Sequence, residues 1–187
     1  TVDITTTTNG NYTGSSANEY IQGGSGNNTI NASGGNNIVR GGAGDDNISA
    51  SIGSDMLYGE DGDDTLIGGF GSDVLVGGPG NDNMQGGDAG ENVVDVFVLN
   101  LGDQGAPATP AIDSILNFAT AAGGSIVGGD VLNLRDLLQG ERVGPSNGAG
   151  NIANYLHFVI SGGDTLIHIS HTGGFASDSH EVDAAYS

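Results

Sequence analysis

GGSGNNTIN ASGGNNIVR GGAGDDNIS ASIGSDMLY GEDGDDTLI GGFGSDVLV GGPGNDNMQ GGDAGENVV, residues 23–94, reads as one nine-residue register held for eight turns. The turns begin at Gly23, Ala32, Gly41, Ala50, Gly59, Gly68, Gly77 and Gly86, and each column has one chemical character. The fourth is Gly26, Gly35, Gly44, Gly53, Gly62, Gly71 and Gly80, then Ala89. The sixth is Asn28, Asn37, Asp46, Asp55, Asp64, Asp73, Asp82 and Glu91. The eighth is Ile30, Val39, Ile48, Leu57, Leu66, Leu75, Met84 and Val93. A short fixed period is the mark of a solenoid.

Glycine at the first, second and fourth positions lets the chain turn sharply and leaves carbonyls uncovered. One apolar residue with mostly polar neighbours is the alternation of a very short half-buried strand. Each turn is therefore expected to be a six-residue loop and a three-residue strand, with alternate turns stacking. One sheet then buries Ile30, Ile48, Leu66 and Met84, the other Val39, Leu57, Leu75 and Val93. A single medium side chain per nine ordered residues is too little burial to hold such a structure by itself.

The sixth column supplies what is missing. Asp46, Asp64 and Asp82 fall on one edge, and Asp55, Asp73 and Glu91 on the other. Alone, these carboxylates repel. With Ca²⁺ between turns they become hard oxygen ligands, and binding free energy becomes folding free energy. A flexible glycine-rich acidic linker shares the composition, but has no reason to keep an apolar residue at every ninth position. Without calcium the segment is expected to be largely unfolded.

The repeats fit GGxGxDxUx, where U is a large apolar residue, and resemble the RTX (repeats-in-toxin) calcium-binding β-roll. The resemblance implies an all-β fold, a right-handed parallel β-roll. It also implies a bacterial protein exported by a type I secretion system that folds outside the cell. In such rolls each ion lies between a turn and the turn eighteen residues on, with side-chain ligands from the sixth positions only. Carried onto this chain, one site is Gly42, Gly44 and Asp46 with Gly59, Asp61 and Asp64. A second is Glu60, Gly62 and Asp64 with Gly77, Pro79 and Asp82. A third is Ser51, Gly53 and Asp55 with Gly68, Phe70 and Asp73. A fourth, weaker one is Gly69, Gly71 and Asp73 with Gly86, Asp88 and Glu91. A fifth pairs Gly24, Gly26 and Asn28 with Gly41, Ala43 and Asp46. Asn28 and Asn37 carry less charge than Asp, so about three to five ions are expected in the roll.

Beyond the repeats, DVFVLNLGDQG from Asp95, IDSILNFATAAGG from Ile112 and GDVLNLRDLLQGE from Gly129 resemble the C-terminal secretion-target region of large RTX adhesins of biofilm-forming bacteria. In that family the chain runs on into a further strand and a secretion signal, so this sequence is expected to stop short of that end. Residues 1–22 read as a polar linker running into a cap turn, with Ile21 and Tyr12 extending the apolar column. Residues 95–187 read as a small β-rich cap: a last roll strand at 95–99, strands near 112–118 and 130–134, a helical turn at 135–139, and a hairpin about Gly162-Gly163. Its expected core is Phe97, Ile115, Phe118, Leu132, Leu134, Leu137, Leu138, Phe158, Ile160 and Leu166. Asp95 is a candidate ligand at the end of the roll. For Asp113, Asp130 and Asp136 capping roles are expected first and an extra calcium second.

There are 23 acidic residues against three basic ones, a formal charge of −20. Nucleic acid and anionic membranes are thereby poor partners, with no nucleic acid and no membrane insertion expected, and divalent cations are favoured. No cysteine is present for disulfides, and no apolar run is long enough to span a bilayer. No H-E-x-x-H motif occurs, and the one G-x-S-x-G match, Gly144-Pro145-Ser146-Asn147-Gly148, is a motif by letter alone, so no protease or lipase centre is expected. The reading is a monomeric, non-enzymatic calcium module of a secreted or cell-surface adhesin, with calcium and the secretion machinery as partners. Its alternatives are an accessory module of a secreted lipase, protease or polysaccharide epimerase, and glycan recognition by the C-terminal region.

Overall fold

A computed structural model of the chain describes residues 2–5, 10–87, 93–100, 103, 105–106, 109–118, 129–133, 156–161 and 164–169. The chain divides into two units, Thr1–Leu134 and Arg135–Ser187. Every described element is a strand or a bridge, and the fold is all-β.

The first unit is a parallel β-solenoid with two sheets. One sheet has the order β1 (Val2–Thr5), β3 (Glu19–Gln22), β5 (Ile38–Ala43), β7 (Met56–Asp61), β9 (Val74–Val76), β11 (Val96–Val98) and β15 (Val131–Asn133). The other has the order β14 (Ser114–Leu116), β10 (Asn83–Gln85), β8 (Thr65–Phe70), β6 (Asn47–Ile52), β4 (Thr29–Asn31) and β2 (Asn11–Thr13). Alternate turns stack, as the period requires: Ile48 pairs with Leu66 and Leu57 with Leu75. A short antiparallel pair, β12 (Gly105–Ala106) with β13 (Thr109–Pro110), lies in the stretch between β11 and β14.

The interior is two rows of side chains. Ile21, Val39, Leu57, Leu75 and Phe97 form one, and Ile30, Ile48, Leu66 and Met84 the other. All are buried, and Tyr12, Ile115 and Leu132 pack against them at the ends.

Three expectations are corrected. First, the register changes in the last turn. Phe97, not Val93, pairs with Leu75, and Asp95 follows Asp73 at a separation of 22 residues. Asp95-Val96-Phe97 has the same acid-x-apolar pattern as the sixth to eighth positions. It places a shorter acid and a much larger apolar side chain in the row, so more area is buried.

Second, 95–99 is not the last strand of the roll. β14 pairs with β10, and β15 with β11, so Ile115 and Leu132 extend the interior rows. Phe118 stacks obliquely on Phe97, with ring centroids 5.8 Å apart. Leu134, Leu137, Leu138 and the helical turn at 135–139 lie outside the described residues, as do the side chains of Phe158, Ile160 and Leu166.

Third, the four central strands run six residues, not three. The loop backbone pairs as well: Ala43 N–H donates to Gly24 O (2.9 Å) and Glu60 N–H to Gly77 O (2.9 Å).

The two outer faces differ. The first sheet shows Tyr20, Ile38, Met56, Val74 and Val96 in one row, an apolar set that the expected polar flanks did not include. The second shows Asn11, Thr29, Asn47, Thr65 and Asn83. Beyond the solenoid, the second unit contains β16 (Leu156–Ser161) and β17 (Asp164–Ile169), paired antiparallel with Ser161 opposite Asp164. This is the hairpin expected about residues 162–163.

Candidate metal centre

Along each edge of the solenoid the sixth-position side chains form a ladder. On one edge Asn28 N–H donates to Asp46 Oδ1 (2.7 Å), Asp46 N–H to Asp64 Oδ1 (2.8 Å), and Asp64 N–H to Asp82 Oδ1 (2.9 Å). Asp82 N–H continues it to Asp113 Oδ1 (3.0 Å). On the other edge the rungs are Glu19 to Asn37 (3.0 Å), Asn37 to Asp55 (2.7 Å) and Asp55 to Asp73 (2.8 Å). They run on from Asp73 to Asp95 (2.9 Å) and from Asp95 to Asp130 (3.1 Å). One carboxylate oxygen per residue thus satisfies the backbone of the turn before it.

The other oxygen is the informative one. Oδ2 of Asp46, Asp55, Asp64 and Asp82 is buried and has no hydrogen-bond partner. It lies inside its own loop: a Cβ on Gly59 would stand 2.1 Å from Asp64 Oδ2 and 2.6 Å from Gly77 O. Gly59, Gly68 and Gly77 thus leave no room for a Cβ, although buried Ala32 and Ala50 hold the same column in two other turns, and the second and fourth positions need left-handed backbone as well. Gly42 and Gly44 have φ of +116° and +107°, and even Ser51 and Glu60 adopt +93° and +77°.

The two Asn turns show what this place requires. Asn37 Nδ2 donates to Gly35 O at 2.9 Å. Asn28 Nδ2 donates to Gly26 O, and also to Asp46 Oδ1 at 3.2 Å. The amide NH₂ thus bridges a fourth-position carbonyl and the next rung's carboxylate. In the Asp turns the same place holds an oxygen that faces, by register, Gly44 O and Asp64 Oδ1. Oxygens surrounding oxygens need a cation, and the donor set is that of a hard divalent ion.

Electrostatics agree with the geometry. Burial pushes the Asp64 carboxyl up to about 7, with Asp82 and Asp46 adding repulsion. Burial likewise lifts Asp82 to about 7, helped by Asp113 and Asp103. Asp46 and Asp55 are raised as well, chiefly by burial. Without a cation, charge at these positions is costly.

Gly42, Gly44, Asp46, Gly59, Asp61 and Asp64 occupy two adjacent, paired turns, and so do Gly62, Gly77, Pro79 and Asp82 on the same edge. Ser51, Gly53, Asp55, Gly68, Phe70 and Asp73 do so on the other. The carbonyls of Asp61, Phe70, Gly77, Pro79 and Gly86 each accept one N–H from the neighbouring turn, which leaves a second lone pair. The Glu60 carboxylate instead binds Arg40 Nη1 (2.7 Å), whose guanidinium lies 4.4 Å from the Tyr58 ring centroid. Asp88 and Glu91 lie outside the described residues, and Asp95 holds the rung after Asp73. Among the described residues no three Asp, Glu or His side chains meet at one point, so an ion here takes carbonyls along with two carboxylates.

A second, exposed ladder was missed. Asp45 N–H donates to Asn27 Oδ1 (3.1 Å), Asp63 N–H to Asp45 Oδ1 (3.1 Å) and Asn81 N–H to Asp63 Oδ1 (2.8 Å). Its signal is the fifth column, where Asn or Asp recurs every eighteen residues.

Asn28→Asp should convert the first of these turns. It replaces the bridging amide by an oxygen, so the chain is expected to bind one more calcium ion. Native mass spectrometry in saturating calcium counts it, and an unchanged count would show that the amide is no stand-in for an ion.

None of the curated proteins compared with the chain matches it. The family described as RTX calcium-binding nonapeptide repeat (4 copies) matches residues 13–48, 40–75, 49–84 and 67–94. Residues 13–94 are thus similar to the calcium-binding nonapeptide repeats of RTX proteins, and their parallel solenoid is consistent with a β-roll.

Proposed function

We propose that this chain is a calcium-folded module of a secreted bacterial protein. The observation that carries it is the column of buried, unpartnered Asp Oδ2 atoms, each in a place that an amide fills in the Asn turns. Ions between Asp46 and Asp64, Asp64 and Asp82, and Asp55 and Asp73 complete the loops. A further ion lies between Asp73 and Asp95, while the Asn28 and Asn37 turns close without one. The ligands are those two carboxylates with the loop carbonyls of both turns.

The module acts as a switch set by calcium concentration. Extracellular modules of this ligand type bind at about 10⁻⁴–10⁻³ M, above cytosolic calcium and near external calcium. The chain crosses a type I secretion channel unfolded and folds outside, where folding opposes back-sliding. The steps Asp95/Phe97, Asp113/Ile115/Phe118 and Gly129 to Leu138, which resemble those of large adhesins, favour an adhesin as the parent protein.

Far-UV circular dichroism during a calcium titration from chelator to about 10 mM tests the reading, with magnesium as control. A cooperative, calcium-specific gain of β signal is expected. A β spectrum that is the same in chelator removes the switch.

A further inference from the structure

The rung from Asp82 to Asp113 spans a break in the repeat. Within the repeats the partners are 18 residues apart, but here the separation is 31. The geometry is nonetheless that of a repeat rung. Asp82 N–H donates to Asp113 Oδ1 (3.0 Å), as Asp64 N–H does to Asp82 Oδ1 (2.9 Å). Ser114 N–H donates to Asp82 O (2.7 Å), as Asn83 N–H does to Asp64 O (2.8 Å). The exposed ladder also crosses the break, from Ile112 N–H to Asn81 Oδ1 (2.9 Å).

Asp82 Oδ2 is buried without a hydrogen-bond partner. Gly78 and Gly80 have φ of +117° and +155°, the loop conformation of the preceding turns. By register, Asp82 Oδ2, Gly80 O and Asp113 Oδ1 make the same all-oxygen place found within the repeats. The inserted residues add one more carboxylate. Asp103 is buried, and its Oδ2 accepts Asn100 N–H at 2.6 Å. Asp103 and Asp113 are the two strongest charge neighbours of Asp82, and all three carboxyls are raised, by burial first.

We propose that Asp82 and Asp113 ligate a calcium ion across the break, with Asp103 beside them as an added negative charge. The inference rests on the calcium reading above and extends it past the nonapeptide sequence. This ion ties β14, which no repeat encodes, to the end of the repeat sheet. Two carboxylates with carbonyls form its shell, because no three acidic side chains meet at one point among the described residues.

The test counts ions on the full chain by native mass spectrometry in saturating calcium. The double variant Asp103→Asn, Asp113→Asn is expected to bind one ion fewer than the unmodified chain, with the calcium-saturated β signal retained. An unchanged count overturns the seam ion alone. If the unmodified chain bound no calcium, the calcium reading itself would fall, so the two failures are distinct. Should the double variant not fold, Asp103→Asn decides, since Asp103 lies outside the ladder. It is expected to weaken one binding step several-fold in a calorimetric titration, and an unchanged isotherm overturns the proposal.

Discussion

Replacing Asp64 by alanine is expected to remove two calcium ions at once and to raise the calcium needed for folding about tenfold or more. Asp64 stands in the middle of its ladder. Its Oδ1 accepts Asp46 N–H and its N–H donates to Asp82 Oδ1. Its unpartnered Oδ2 belongs to the ion shared with Asp82, and its Oδ1 to the ion shared with Asp46. Alanine strips a carboxylate from both shells. It also leaves the buried Asp46 N–H unsatisfied, which costs about 1–3 kcal/mol by itself.

The neighbouring Asp63→Ala is the control. Asp63 Oδ1 accepts Asn81 N–H and Nδ2 on the exposed ladder, where water replaces what is lost. Its calcium midpoint should move far less. Circular dichroism titrations of the two variants side by side give the answer. Equal midpoints would mean that the sixth column is not the metal column.

The second large effect is on pH. Burial raises the Asp64 and Asp82 carboxyls from the ordinary 3.8 to about 7 in the ion-free fold. Between those values the folded form holds protons that the unfolded chain has released. Stability of the calcium-free fold is therefore greatest below about pH 4 and is lost as pH rises through 7. Each such group changes stability by at most about 1.4 kcal/mol per pH unit within that window. In chelator the chain should show more β signal at pH 5 than at pH 8.

With calcium present the sign reverses, because ligation requires the deprotonated carboxylate. Protons compete with the ion, so the calcium midpoint should climb steadily as pH falls from 8 to 5. A midpoint that stays level over that range would place the ions away from Asp64 and Asp82. The two trends share one cause: the buried oxygen needs a positive partner, and either a proton or calcium serves.

The period of nine was enough to derive most of this arrangement. Stacking of alternate turns, the interior rows from Ile30 to Met84 and from Val39 to Leu75, and the two edges of sixth-position acids all follow from it. Each is a local rule repeated, so a slip would expose an apolar residue in every turn. The end of the repeat was less legible. Val93 and Glu91 kept the spacing, yet Phe97 and Asp95 hold the places, because packing selects the side chains that fill the row best. Likewise Asp113 and Asp130 look like isolated turn acids, and only pairing with Asp82 and Asp95 makes them rungs.

Nine residues were enough to set the repeating unit: where the backbone turns left-handed, which side chain enters the core, and where the carboxylates from Asp46 to Asp82 lie. Those properties are local, written within nine residues and copied along the chain. The stacking of the folded turns settled which atoms of different turns face one another. It set the Asn28 amide against Gly26 O and Asp46, left Asp64 Oδ2 buried without a partner, and joined Asp82 to Asp113 across 31 residues. Such contacts depend on how the loops stack, and stacking is settled by packing and hydrogen bonding between turns, which no single turn encodes.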